Sequence, residues 1–165
     1  MTAALRIGII SDTHLTRPSD GFVRLVEACF MDTGMILHAG DLTDPSILGV
    51  FGDRPVHAVH GNMCSLIGQQ LLPPKKEIRV GGFTIGLVHR VGNSYDFEDR
   101  LIELFPEADC IVYGHTHQPA CHRTGGVLYI NPGSFTGGRG STGSYAILEV
   151  GETMTATLHQ TPRLP

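Results

Sequence analysis

Seven residues of metal-ligand type recur at the ends of short apolar runs. Asp12 and His14 lie in Ser11-Asp12-Thr13-His14, Asp41 closes His38-Ala39-Gly40-Asp41, and Asn62 closes His60-Gly61-Asn62. His89 follows the run Phe83–Val88, and His115 and His117 lie in Gly114-His115-Thr116-His117. Imidazole combined with carboxylate and amide oxygen suits Mn, Fe, Co, Ni or Zn better than calcium. Asp12 with His14, and His115 with His117, place two ligands on an extended or turning segment. Such a pair can surround one metal or divide between two. Gly40, Gly61 and Gly114 adjoin ligands and let the backbone turn tightly beside them.

Seven ligands exceed one tetrahedral site and suit two divalent ions sharing a carboxylate. Two such ions carry four positive charges; Asp12 and Asp41 supply two negative ones. The remainder can hold a bridging hydroxide and a phosphate oxyanion. Two ions roughly 3.5–4 Å apart stabilise the attacking and leaving oxygens of phosphoryl transfer. His38 and His60 flank ligands and are expected in the core or supporting the ligands. His57, His122 and His159 lack motif context and are expected to be structural or at the surface. No G-x-S-x-G elbow presents a serine nucleophile.

The runs that must position these residues are Leu5–Ile10, Met35–Leu37, Pro55–Val59, Phe83–Val88 and Cys110–Tyr113. Their length and β-branched content predict buried strands whose carboxyl ends carry the ligands. Helical patterns alternate with them. Phe22, Val26, Cys29 and Phe30 share one face behind an N-cap at Ser19 or Asp20. Asp44-Pro45 has the form of an N-cap followed by proline at the first helical position. Ser94 can cap a helix carrying Phe97, Leu101, Leu104 and Phe105, which Pro106 ends. This alternation implies βαβ units and parallel pairing. Lys76–Val80 and Phe83–Val88 form a hairpin across Gly81-Gly82. Val127–Ile130, Tyr145–Val150 and Met154–His159 have no helices between them and predict antiparallel hairpins. The expected fold is α/β, with two mixed sheets packed face to face and helices outside.

The 165 residues are expected to form a single domain spanning 1–165. Hydrophobic residues make up 41% and charged residues 17%, which excludes a disordered chain. A net charge of −4 supplies no global field for nucleic acid. No apolar run approaches the ~20 residues of a membrane span. The four cysteines have no C-x-x-C spacing, so reduced thiols and a cytoplasmic location are expected. Gly138–Gly143 matches G-x-G-x-x-G but leads into a strand pattern, and a dinucleotide fingerprint opens a helix.

The ordered series D-x-H, GD, GN, H and GHTH, with the closing Asn131-Pro132-Gly133-Ser134, resembles the calcineurin-like metallophosphoesterase superfamily. Chain length is most similar to its small bacterial and archaeal phosphodiesterase branch. The resemblance runs from about residue 5 to 150 and implies a four-layer α/β/β/α sandwich. It implies one metal on Asp12, His14, Asp41 and His117, and a second on Asp41, Asn62, His89 and His115, with Asp41 bridging. Mn²⁺ is the expected ion, with Fe, Ni, Co and Zn as alternatives. The implied reaction is phosphodiester hydrolysis by a metal-bridging hydroxide. Asp41, Asn62 and His115 would carry the catalysis, and Asn62 and Arg90 would contact the substrate.

Two segments depart from the family pattern. Met63 and Cys64 follow Asn62 where many relatives have a histidine and the small branch often has Cys and then Asp, and methionine cannot donate a proton. Arg90 follows His89 where relatives often carry a glycine and a further histidine. The alternatives are a phosphomonoesterase and a non-catalytic scaffold resembling the retromer subunit of this superfamily. The expected partner is a phosphate-ester substrate, and a homo-oligomer stays open.

Overall fold

A computed structural model describes residues 3–92, 95–138 and 141–163. The strands are β1 (Leu5–Ile10), β2 (Met35–His38), β3 (Val56–Ala58), β4 (Lys75–Val80), β5 (Phe83–Val88), β6 (Cys110–Val112), β7 (Ala120–Thr124), β8 (Val127–Asn131), β9 (Ser144–Val150) and β10 (Met154–Gln160). The α-helices are α1 (Asp20–Phe30), α2 (Leu66–Leu71) and α3 (Phe97–Leu104). One sheet has the order β10-β9-β1-β2-β3, the other β4-β5-β6-β8-β7. In the first, β1, β2 and β3 are parallel neighbours; in the second, β5, β6 and β8 are.

Alternation along the strands builds the layers. Ile7, Ile9, Leu37, Ile85, Leu87, Cys110, Val112 and Leu148 project between the sheets into one core. The opposite faces supply two further cores. Ile10, Ile36 and Ile147 pack against Phe22, Val26 and Phe30 of α1. Val88, Ile111 and Tyr129 pack against Leu101 of α3 and Phe105. The result is the four-layer α/β/β/α sandwich. Ser19 caps α1 through its Oγ, which accepts from Phe22 N at 3.1 Å.

Several local expectations need correction. Val127–Ile130 and Tyr145–Val150 do not form a hairpin. β8 pairs with β6 and β7 in one sheet, whereas β9 pairs with β1 and β10 in the other. The intervening chain crosses between sheets to brace the loops described below. Asp44 does cap the following segment, accepting from Ser46 N at 2.8 Å, but Pro45–Phe51 is a 3₁₀ helix. Strand β7 and helix α2 carry no clear apolar period, and the sequence pattern does not predict them. Ser94, Arg139 and Gly140 lie outside the described residues; the N-cap position of α3 falls at Asp96 rather than at Ser94, with no side-chain capping bond. No helix among the described residues is long and apolar enough to cross a membrane.

Candidate metal centre

Parallel strands of both sheets end at the same rim, and their loops stay joined by backbone hydrogen bonds. Asp12 N donates to Gly40 O at 2.9 Å and His14 N to Asp41 O at 3.0 Å, which locks the loops after β1 and β2 together. In the second sheet, Gly114 N donates to His89 O at 3.0 Å. The loops turn by adopting left-handed backbone at the ligands themselves. Asp12, His14, Asp41, His115 and His117 have φ values of 52°, 49°, 55°, 74° and 59°. Such positions cost of order 1–3 kcal/mol each and persist where the surroundings enforce them, commonly at functional sites.

The geometry gathers six of the seven candidate ligands into two groups. Asp12, His14 and His117 form one; Asp41, His89 and His115 form the other. Within each, the ligand atoms lie within 4.8 Å of one another. His14 Nε2 and His117 Nε2 are 3.4 Å apart, and His89 Nε2 lies 3.2 Å from Asp41 Oδ2. The groups adjoin, since Asp12 Oδ1 is 4.0 Å from His89 Nε2. Asn62 is exposed beside them and lines a cleft of about 440 Å³ with His60, Gln69, His89 and Arg90.

The hydrogen bonds commit one side of each inner ligand and leave the other side open. Asp12 Oδ2 accepts from Ser11 Oγ at 2.6 Å and from His115 N at 3.2 Å. Its Oδ1 is buried without a hydrogen bond, facing His117 Nε2 at 3.2 Å and His14 Nε2 at 3.9 Å. Asp41 Oδ1 accepts from Met63 N at 2.7 Å. His89 Nδ1 donates to Ala39 O at 2.7 Å, so the lone pair of the neutral ring sits on Nε2, which is buried and without a hydrogen bond. A metal-binding histidine held by a backbone carbonyl has this arrangement. Orphaned buried polar atoms are costly, and a divalent cation in each ligand group would satisfy one of them. The donor set of imidazole and carboxylate therefore fits transition metals.

Electrostatics follows from this crowding. Burial pushes the His89 pKa down, but Asp41 and Asp12 overcome it and the net shift is upward. Burial opposes ionisation of Asp41, yet the His89 contact and the Met63 amide bring its pKa below the usual range. Burial, with His89 and Arg90 alongside, pushes His115 down.

Two glycines make the close approach possible. A Cβ on Gly61 would lie 2.1 Å from Asp41 Oδ1, and one on Gly114 would lie 2.3 Å from Ser11 Oγ.

A brace of polar residues at the start of the β8–β9 crossing holds the ligand loops. Ser134 Oγ donates to Asp12 O at 2.9 Å. Asn131 Nδ2 donates to Thr116 Oγ1 at 2.9 Å and Gly114 O at 3.3 Å, while Asn131 Oδ1 accepts from Gly133 N. In the sequence alone Asn131–Ser134 is only a mark of resemblance, with no role. Its signal was the run of polar and turn-forming residues directly after a buried strand.

Residues 5–153 match the calcineurin-like phosphoesterase superfamily domain. The chain belongs to that superfamily. A probable metallophosphoesterase of Methanothermobacter thermautotrophicus is 36% identical over 161 residues, covering 94% of this chain and 92% of the relative. A solved archaeal phosphodiesterase superposes with a TM-score of 0.74 at 21% identity, over 94% of this chain and 100% of that one. Entamoeba histolytica Vps29 solved with Zn²⁺ gives 0.73 at 21% identity, over 96% and 100%. At these identities the two structures attest the fold.

In this calcineurin-like phosphoesterase the departures take definite positions. Met63 is 56% exposed at the site's edge. Cys64 is buried, and its Sγ accepts from Gly61 N at 3.2 Å. It closes the turn and packs into the α1 core rather than facing the ligands. Arg90 Nη1 donates toward His115 Nε2 at 3.4 Å from an exposed position. His38 is a core residue. Its Nδ1 accepts from Gly40 N and its Nε2 donates to Thr13 Oγ1, both at 3.1 Å.

Proposed function

We propose that the protein is a metal-dependent phosphodiesterase with a two-metal centre, Mn²⁺ being the first ion to test. The observation that carries this reading is the pair of adjoining ligand groups, with Asp12 Oδ1 and His89 Nε2 buried and unsatisfied between them. Asp12, His14, Asp41 and His117 would hold one ion. Asp41, Asn62, His89 and His115 would hold the other. Bound divalent ions supply Lewis acidity and an activated water at neutral pH.

The chain's own contribution is to hold and orient. The left-handed loops and the Asn131–Ser134 brace fix the ligands before substrate arrives, which is the entropy-saving part of catalysis. The Arg90 guanidinium presents a planar donor to a phosphate oxygen. Clefts flank Arg90 on two sides, one shared with Asn62 and one with Phe97. A diester carries two organic groups and makes use of both, whereas a monoester needs one. This favours diesters, and the archaeal phosphodiesterase of the same fold is consistent with it.

The test is turnover of bis(p-nitrophenyl) phosphate and p-nitrophenyl phosphate by Mn²⁺-loaded protein, with and without chelator. The expected result is chelator-sensitive hydrolysis favouring the diester. A monoester preference would move the assignment to phosphomonoesterase. Absence of turnover with every divalent metal over a broad diester panel would favour a scaffold. That second reading draws on the fold shared with Vps29, but here all seven ligand positions are filled.

A further inference from the structure

Metal binding leaves the cavity on the α3 side of Arg90 unexplained. It measures about 300 Å³, and its walls include Val91, Phe97, Leu101 and Tyr113. Arg90 and His115 stand among its lining residues as a guanidinium and an imidazole. Leu101 is fully buried and Tyr113 is 6% exposed, so core residues form a floor that exists without a ligand. The Phe97 and Tyr113 rings pack with centroids 5.3 Å apart at 60°.

We propose that this cavity binds one planar, apolar-faced organic group of the substrate, an aryl or heteroaryl substituent esterified to the phosphate at the metal centre. The inference rests on the phosphoesterase reading and specifies its substrate class.

Three features support it. The first is continuity: His115 belongs both to a ligand group and to the cavity, so an anion beside His115 has the cavity next to it. Arg90 gives the charge complement for that anion. The second is size. Ligand pockets run from about 300 to 1,000 Å³, so this one suits a single ring system rather than a whole nucleotide. The third is polarity. Val91, Phe97 and Leu101 line the cavity, and the Tyr113 ring, 6% exposed and packed on Phe97, adds a further apolar wall. The cleft across Arg90 is instead lined by His60, Asn62 and Gln69. The two sides thus differ in chemistry, and the ring belongs on the apolar one.

Phenylphosphonate and methylphosphonate share an anion and differ only in the ring, so they separate the cavity from the anion site. Isothermal titration of Zn²⁺-loaded protein should show phenylphosphonate binding at least about tenfold more tightly, the scale expected for burying an aromatic ring. Methyl NMR signals of Val91 and Leu101 should shift with phenylphosphonate and not with methylphosphonate. Val91→Trp, which fills the cavity, should bring the affinity ratio near one. Phe97→Ala, which removes a wall, should also lower it and guards against misfolding of the first variant. Equal affinity of the two probes for the wild type would overturn the cavity assignment and leave the phosphoesterase reading standing. A phenyl preference that both variants retain, without shifts at Val91 or Leu101, would likewise overturn it. Failure of both phosphonates to bind would overturn the cavity and the anion site together.

Discussion

Asp12 Oδ1 and His89 Nε2 face each other across 4.0 Å, both buried and neither hydrogen-bonded. They come from different sheets, on the loops after β1 and β5. Each is oriented from behind, Asp12 by Ser11 Oγ and His89 by the Ala39 carbonyl. The fold thus carries one such polar atom in each ligand group for a cation to satisfy, and binding free energy becomes folding free energy.

Divalent metal should therefore stabilise the native state. At a free ion concentration one hundredfold above Kd, one site contributes ~2.7 kcal/mol. For a chain of this size that corresponds to roughly 5–10 °C in Tm. Differential scanning calorimetry with Mn²⁺ or Zn²⁺ and with chelator checks it. Elemental analysis should find two ions per chain. Asp41→Asn should lower the content of both, and Asn62→Ala mainly one. Full metal content in Asp41→Asn would exclude the bridging role.

The brace should matter without touching metal. Removing partners that orient metal ligands typically costs 10–100-fold in affinity or activity. Asn131→Ala frees the Gly114 and Thr116 contacts, and Ser134→Ala frees the Asp12 carbonyl. Both variants should bind metal about 10–100-fold more weakly, measured by competition with a chromophoric chelator. Wild-type affinity in both would show that the loops hold themselves.

Gly61→Ala tests the close approach independently. Its Cβ would lie 2.1 Å from Asp41 Oδ1 and 2.8 Å from His89 Cδ2, so Asp41 or the loop must move. A misplacement of about 1 Å can cost ~10²-fold in rate. Loss of activity with a far-UV CD spectrum like the wild type is the expected outcome.

His38 gives the fold a pH dependence of defined sign. It is fully buried, and desolvation, with His89 adding to it, pushes its pKa down from 6.5 to about 3. Between those values the unfolded chain binds a proton that the native imidazole refuses. Stability is thus fully present above pH 6.5 and is lost as pH falls toward 3. The contribution lost by pH 5 is about 2 kcal/mol. In chelated protein, His38→Gln should lose less stability than the wild type between pH 7 and 5, by urea unfolding. Parallel pH profiles would remove His38 from the account.

Much of the site was legible because parallel strands impose one direction. Once Leu5–Ile10, Phe83–Val88 and their neighbours were read as buried strands, the residues following each had to meet at one rim. The apolar period of α1 and the Ser19 cap were equally local signals. The missed parts depend on distant partners. β7, Ala-Cys-His-Arg-Thr, is an edge strand with an exposed polar stretch and no apolar run. α2 leaves Leu66, Ile67 and Leu71 exposed, so its apolar residues do not mark a core-facing stripe. The separation of β8 from β9 turns on Asn131 and Ser134 reaching loops more than a hundred residues away in one case. No window of sequence contains that contact.

Met63 should make the enzyme sensitive to its leaving group. A departing alkoxide needs a proton, and positioned general acids contribute ~10²–10⁴-fold. The Met63 amide is committed to Asp41 Oδ1, which fixes the backbone beside the site while the side chain stands largely in solvent. A histidine at that position would start from the same anchored backbone. Cys64 is removed as an alternative acid, because its thiol is buried and closes the Gly61 turn. Nitrophenolate leaves without help; an alkoxide does not. The wild type is therefore expected to turn over nitrophenyl diesters well and alkyl diesters poorly, with a steep dependence of log kcat/KM on leaving-group pKa. Met63→His should flatten that dependence, gaining most on the most basic leaving groups, while Cys64→Ala should leave its slope unchanged. The measurement is a series of aryl and alkyl diesters of graded leaving-group pKa for all three proteins. Equal slopes in wild type and Met63→His would show that position 63 is not where the missing proton enters, and would shift proton delivery to water.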